Sequence, residues 1–163
     1  MTTLVTHNRD RLPLISLTTA AAVAAVHHVY RLGPEVLVPA VIITVLPYLI
    51  LRHYRSSGSR LALWSYAGLT SLIFLWFGII DGFLDHVLKA LGLQHTTLLP
   101  GGEAPVVRTA FSLWSPDAGN LFYEGTGVLE FVVSIIAMYY AYRLLRTSRG
   151  ERKVMSREAA ASS

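Results

Sequence analysis

Residues 61–84 read LALWSYAGLTSLIFLWFGIIDGFL, and Asp81 is the one charged residue among them. A helix that crosses the roughly 30 Å hydrocarbon core of a bilayer needs about 20 apolar residues, because each residue advances it by about 1.5 Å. The stretch does not alternate in polarity, and lipid offers no partner for unpaired backbone groups, so a helix is favoured over a strand. Residues 61–84 therefore predict a transmembrane helix.

Three further segments have the same character, namely residues 12–30, 36–51 and 121–142. The sequence therefore predicts an all-α fold, an integral membrane four-helix bundle formed by residues 1–146. The second segment is the shortest and contains Pro39 and Pro47, which predict a kink within the span. The composition agrees, because 15% of the residues are charged and 53% are hydrophobic, whereas soluble domains are about 25% charged.

The first segment also has features of a secretory leader. Arg9 and Arg11 precede it, and the small residues at 20–25 resemble a signal-peptidase site. Cleavage there would leave three spans, with His27 and His28 near the new N-terminus. The apolar character continues beyond the two histidines, which favours a retained helix.

The Lys and Arg residues divide unevenly between the two sides of the predicted bundle. With the N-terminus inside, Arg31, Lys89 and Arg108 lie outside and the other eleven of the 14 lie inside. The eleven are Arg9, Arg11, Arg52, Arg55, Arg60, Arg143, Arg146, Arg149, Arg152, Lys153 and Arg157. Basic flanks stay in the cytoplasm, so both termini are predicted to be cytoplasmic. The net charge of +4 then comes from residues that flank the membrane spans. The sequence has no stripe of basic and aromatic residues, so it does not predict a nucleic-acid partner.

The connecting segments have distinct characters. Gly33 and Pro34 predict a tight turn between the first two helices. Residues 92–120 predict a long outer loop, in which residues 110–114 lie at the lipid interface with Trp114 as their anchor. Residues 147–163 are polar and basic, and they predict a disordered cytoplasmic tail.

Histidines and carboxylates fall in the outer half of three predicted spans. They are His27, His28, Asp81, His86, Glu124 and Glu130. Ionisable groups inside a membrane are costly, and they face a bundle interior, a cavity or one another. Glu130 is flanked by apolar residues, so its carboxyl must be protonated, paired across helices or bound to a cation. The six residues together predict a site for a divalent transition metal, namely copper, zinc or iron.

Helical geometry complicates this site. Asp81 and His86 lie about 140° apart on an ideal helix, so both cannot point to one centre. Asp85 and Lys89 share a face and predict an ordinary salt bridge. His95 lies in the outer loop and is predicted to be solvated.

Small residues predict where the helices approach closely. Gly78 and Gly82 are four apart on the third helix and form a small-residue face. Gly125 and Gly127 are predicted to do the same beside Glu124. Such close approach would let short Asp side chains reach a shared centre.

Other interpretations of the six residues stay open. Glu130 and Asp81 could serve as acid and base in a metal-independent membrane enzyme or a proton-coupled carrier. The chain could also be an accessory subunit of a membrane complex, or form a homo-oligomer, with the charges only joining helices. The sequence contains no cysteine, no His-Glu-x-x-His motif and no nucleophile elbow, so it assigns no catalytic residue.

The third helix reads Gly78-Ile79-Ile80-Asp81-Gly82-Phe83-Leu84-Asp85-His86. It resembles an uncharacterised family of small bacterial multi-pass membrane proteins with an Asp-Gly-x-x-x-His motif near a helix end. That family has a later Leu-Phe-His segment where this chain has Leu121-Phe122-Tyr123-Glu124, and a His-His pair where only His95 follows. The resemblance covers about 45 residues. It implies a location in the inner membrane of a bacterial cell and a metal link, to copper or to haem-copper oxidase assembly.

Overall fold

Four helices make up most of the computed structural model, which describes residues 11–98 and 115–161, the side chains of 151–159 and 161 excepted. They are α1 (Arg11–Leu32), α2 (Leu37–Ser57), α3 (Arg60–Ala90) and α4 (Pro116–Ala161). Each contains a stretch that is long and apolar enough to cross a membrane. The predicted all-α architecture of four membrane-capable helices is therefore confirmed, including the short second segment. The predicted interfacial segment 110–114 lies outside the described residues.

Local sequence sets the connections between the first three helices. Gly33 adopts φ 95°, a conformation that favours glycine, and a 3₁₀ turn at Pro34–Val36 leads into α2. Gly58 ends α2 in the left-handed conformation, and the Ser59 hydroxyl then accepts from the Ala62 amide at the start of α3. The predicted turn at Gly33 and Pro34 is confirmed.

The central part of α3 departs from the predicted α-helix. Residues Phe74–Val87 are π-helical, with hydrogen bonds that join residues five apart. Regular α-helix flanks this segment at Arg60–Ile73 and Leu88–Ala90. A π-helix changes which residues share a face, and this part of α3 carries Asp81, Asp85 and His86.

Helix α4 packs against both α1 and α3, while α2 packs against α1 and the first part of α3. Glycines bring α3 and α4 together, because a Cβ on Gly82 would stand 2.9 Å from the Gly127 carbonyl oxygen and one on Gly78 would overlap Ser134. The predicted packing face of Gly78 and Gly82 is thus confirmed. Gly127 belongs to the same contact, but Gly125 faces open space, so the prediction for Gly125 is wrong.

The distribution of polarity is the reverse of that in a water-soluble protein. Leu61 and Leu121 are each 76% exposed, whereas Asp81, Asp85 and Glu130 are at most 3% exposed. Apolar side chains cover the outside of the bundle and ionisable ones occupy its interior. This arrangement fits a multi-pass membrane protein, whose surroundings are as apolar as its surface.

The C-terminal end of α4 extends further than the sequence predicted. The helix has 46 residues, about 70 Å in length, and it continues through 147–161, where a disordered tail was predicted. Its extension contacts the helices on either side of the α2–α3 connection. Ser148 Oγ lies 2.9 Å from Tyr54 Oη of α2, and the Arg149 guanidinium lies over Trp64 of α3. The later residues are strong helix formers such as Arg, Glu, Lys and Ala, which accounts for the continued helix.

Candidate metal centre

Three helices carry ionisable residues to one end of the bundle. The polar cluster consists of His27 and His28 from α1, Asp81, Asp85 and His86 from α3, and Glu124 and Glu130 from α4. Five of the seven are at most 3% exposed, namely His27, Asp81, Asp85, His86 and Glu130. The structure therefore brings together all six of the residues that the sequence predicted, and it adds Asp85.

Four residues form the His27 group, which consists of His27, His28, Asp81 and Glu130. One ligand atom from each lies within 4.8 Å of the others. Asp81 Oδ2 lies 3.5 Å from His27 Nε2 and 3.8 Å from His28 Nε2, while Glu130 Oε1 lies 3.5 Å from His28 Nδ1. The group therefore converges on a small volume between α1, α3 and α4.

Asp81, Asp85 and His86 form the His86 group, whose ligand atoms also lie within 4.8 Å of one another. The π-helix explains why Asp81 and His86 meet, since residues five apart stand above one another on it. The predicted angle of about 140° between them applied to an α-helix, and it is wrong here. The resulting face of α3 points all three ligand atoms inward.

Asp85 and Glu124 have different roles from those predicted. Lys89 Nζ donates to Glu124 Oε1, and Asp85 Oδ1 instead accepts from the Thr97 hydroxyl at 3.1 Å. The predicted pairing of Asp85 with Lys89 is therefore corrected. Asp85 joins the His86 group, and its signal in the sequence was its spacing of four residues from Asp81.

Glu124 holds His86 rather than joining either group of ligand atoms. Its Oε2 lies 2.8 Å from His86 Nδ1, and the carboxylate can only accept, so Nδ1 donates. His86 Nε2 is then the lone-pair nitrogen of the neutral ring. That atom is buried and has no hydrogen-bond partner among the described residues.

The two α1 histidines are held in the same tautomer. His28 Nδ1 lies 2.9 Å from the Ala24 carbonyl oxygen, which can only accept. The Thr126 hydroxyl donates to backbone carbonyls one turn earlier, at 2.8 Å to Phe122, so its oxygen accepts from His27 Nδ1 at 2.9 Å. In neutral rings both Nε2 atoms then carry lone pairs, and they lie 3.5 Å and 3.8 Å from the same Asp81 oxygen. Three such acceptor atoms repel one another unless a proton or a metal cation lies between them.

Several buried atoms of the cluster lack a hydrogen-bond partner within the described part of the chain. They are His28 Nε2, Asp81 Oδ2, His86 Nε2 and both carboxyl oxygens of Glu130. Each such atom costs about 1–3 kcal/mol when it is left without a partner. Their convergence gives a group of residues that could hold a metal ion.

The Tyr123 ring packs against the histidines and belongs to neither group of ligand atoms. Its ring stacks on His27 with centroids 4.3 Å apart and meets His86 edge-on at 4.9 Å. It is 4% exposed, so it closes one side of the cluster against lipid or water. Sequence reasoning considered this position only as a missing histidine and overlooked the packing role.

Two further described histidines, His53 and His95, do not belong to the cluster. Both are exposed, which agrees with the prediction that His95 is solvated, and His7 lies outside the described residues. Helix α2 contributes no member of either group.

Comparison with known proteins gives no family for this chain: no protein-family model, no curated protein and no solved structure matches it. The resemblance to small bacterial membrane proteins with the Asp-Gly-x-x-x-His motif stays a prediction. The geometry of the polar cluster is therefore the evidence for the function of this chain.

Proposed function

We propose that the protein is a multi-pass membrane protein that binds a divalent transition metal ion between α1, α3 and α4. The ligands are His27 Nε2, His28 Nε2, one Asp81 oxygen and one Glu130 oxygen. The membrane topology predicted from the basic residues puts this ion in the outer leaflet of the bacterial inner membrane.

One observation carries the proposal, the spacing of the ligand atoms in the His27 group. Asp81 Oδ2 lies 3.5 Å and 3.8 Å from the two Nε2 atoms, which is too long for hydrogen bonds of about 2.7–3.2 Å. Two ligands about 2.1 Å from a tetrahedral ion stand roughly 3.4 Å apart. The atoms are thus spaced as ligands of one tetrahedral ion are spaced.

The donor set restricts the kinds of metal. Imidazole suits zinc, copper, iron and nickel, while carboxylates favour harder ions, so a mixed set favours zinc, iron or copper(II). The chain has no cysteine, which disfavours a copper(I) site built on soft thiolates. Thr126 and the Ala24 carbonyl support the site by fixing the tautomers of its two imidazoles.

Metal analysis of the detergent-purified protein tests the proposal. The wild type should hold at least one transition metal ion per chain, and Asp81→Ala and Glu130→Gln should lose it. Glu35 is an exposed carboxylate outside the cluster, so Glu35→Gln is the matched control and should keep wild-type metal. Equal, substoichiometric metal in all four proteins would reject the proposal.

A second candidate function, a membrane enzyme acting on a lipid-like substrate, is favoured by one observation. An apolar groove of about 660 Å³ runs along α1 and is also lined by Tyr48, Phe122, Thr126 and Leu129. Thr126 lines the groove and also holds His27, so an acyl chain there would lie beside the cluster. If Glu130→Gln abolished turnover of a lipid substrate by protein free of metal, this candidate would replace the metal proposal.

A further inference from the structure

The two groups of the polar cluster share one residue, Asp81. Its Oδ2 faces His27 and His28, and a carboxylate has a second oxygen with lone pairs of its own. Asp85 and His86 also offer ligand atoms within 4.8 Å of this carboxylate. Asp81 thus belongs to two sets of ligand atoms.

One ion cannot serve both sets. Ligand bonds of about 2.0–2.2 Å place two ligands of one ion at most about 4.4 Å apart. His86 and Asp85 fall outside the His27 group, and His28 and Glu130 fall outside the His86 group. An ion bound by the His27 group therefore leaves His86 Nε2 without a partner, although this atom is buried in a ring that is 1% exposed.

The surroundings of His86 match those of a metal ligand. Its Nδ1 donates to Glu124, which also accepts from Lys89, the arrangement in which a carboxylate orients a metal-bound histidine. Gly127 leaves room for the ring, since a Cβ there would stand 2.6 Å from Nε2 and overlap the ring carbons. Glu124 and Gly127 therefore fix the position of the ring, and its Nε2 is buried without a hydrogen-bond partner among the described residues.

We infer that the cluster is a dinuclear metal centre bridged by the Asp81 carboxylate. The first ion is bound by His27, His28 and Glu130, and the second by Asp85 and His86. In two-metal sites of proteins the ions stand about 3.5–4 Å apart, a separation that one bridging carboxylate spans. The inference rests on the proposed function and adds the second ion to it.

Metal stoichiometry and spin coupling test the inference together. Purified protein is loaded with copper(II), one of the ions that the donor set favours, and bound metal per chain is measured beside an electron paramagnetic resonance spectrum. The wild type should hold two ions with an exchange-coupled spectrum. Asp85→Asn and His86→Gln should each hold one ion with an uncoupled spectrum, and Asp81→Ala should hold neither. His53→Ala, which alters an exposed histidine, should match the wild type.

The possible results separate the two proposals. One uncoupled ion in the wild type would reject the dinuclear centre and leave the proposed function standing, while no bound ion would reject both. Two ions in Asp85→Asn and His86→Gln would also reject the inference, because the second ion would then lie elsewhere. If both variants fail to fold, as judged by size-exclusion chromatography, the coupling in the wild-type spectrum decides alone.

Discussion

His27 is oriented by Thr126, whose hydroxyl oxygen accepts from Nδ1 at 2.9 Å. Thr126→Val removes that acceptor with little change of shape, so the ring can rotate or take the other tautomer. We expect metal affinity to fall by about 10–100-fold, as measured by competition with a chelator. Thr126→Ser keeps the hydroxyl and should retain wild-type affinity. Equal affinity in the valine and serine variants would contradict this role for Thr126.

Gly127 lies against the His86 ring, and a Cβ at this position would overlap it. Gly127→Ala should displace the ring, lower metal content and destabilise the bundle by about 1–3 kcal/mol, which thermal unfolding in detergent would detect. Gly125 is the matched control, because a Cβ there meets nothing within 4 Å. Gly125→Ala should be neutral or stabilising by up to about 1 kcal/mol, since Ala favours helix more than Gly does. A Gly127→Ala protein as stable and as metal-rich as Gly125→Ala would show that the ring has room to move.

At the scale of the elements, glycines on α3 determine how closely it meets α4. A Cβ on Gly82 would stand 2.9 Å from both the Gly127 carbonyl oxygen and the Phe131 amide nitrogen, whereas one on Gly78 would meet the side chain of Ser134. Backbone cannot move aside as a side chain can, so Gly82→Ala should lower the unfolding temperature more than Gly78→Ala. Gly68→Ala, with nothing within 4 Å, is the control on the same helix. A larger decrease in unfolding temperature for Gly78→Ala than for Gly82→Ala would contradict this packing.

Hydropathy predicted the number of helices, because crossing a membrane requires a long apolar run and four such runs exist. It also found six members of the polar cluster, because a charge such as Glu130 within an apolar run needs a partner. The π-helix could not be predicted, since the shift from α- to π-hydrogen bonding leaves no mark in the apolar pattern of residues 74–87. For this reason the sequence placed Asp81 and His86 on different faces.

Side-chain roles were harder to predict than side-chain proximity. Glu124 and Asp85 are both carboxylates near His86, and the sequence made Glu124 the ligand and Asp85 the partner of Lys89. In the structure Lys89 instead donates to Glu124 on α4, and Asp85 belongs to the His86 group. This pairing depends on the relative rotation of α3 and α4, which one sequence does not determine.

At the scale of the whole molecule, the polar cluster and most of the described Lys and Arg residues lie at opposite ends of the bundle, Arg31 and Lys89 being the exceptions. Tyr54 and Trp64 flank the α2–α3 connection and contact Ser148 and Arg149 near the far end of α4. The cluster lies at the other end, near the α1–α2 turn. The orientation of the molecule therefore decides whether the proposed metal site faces the cytoplasm or the outside.

The chain has no cysteine, so single cysteines can report which side each end occupies. Gln94 is an exposed residue at the end of the bundle that carries the polar cluster. Ser57 is an exposed residue at the opposite end, beside the α2–α3 connection. Eleven of the 14 Lys and Arg residues lie near the termini or around the α2–α3 connection. The end of the bundle that carries this connection should therefore be cytoplasmic. A membrane-impermeant maleimide should then label Gln94→Cys in intact cells and Ser57→Cys only after permeabilisation. The opposite pattern would place the metal centre on the cytoplasmic side, where it would exchange ions with the cytosol rather than with the cell exterior.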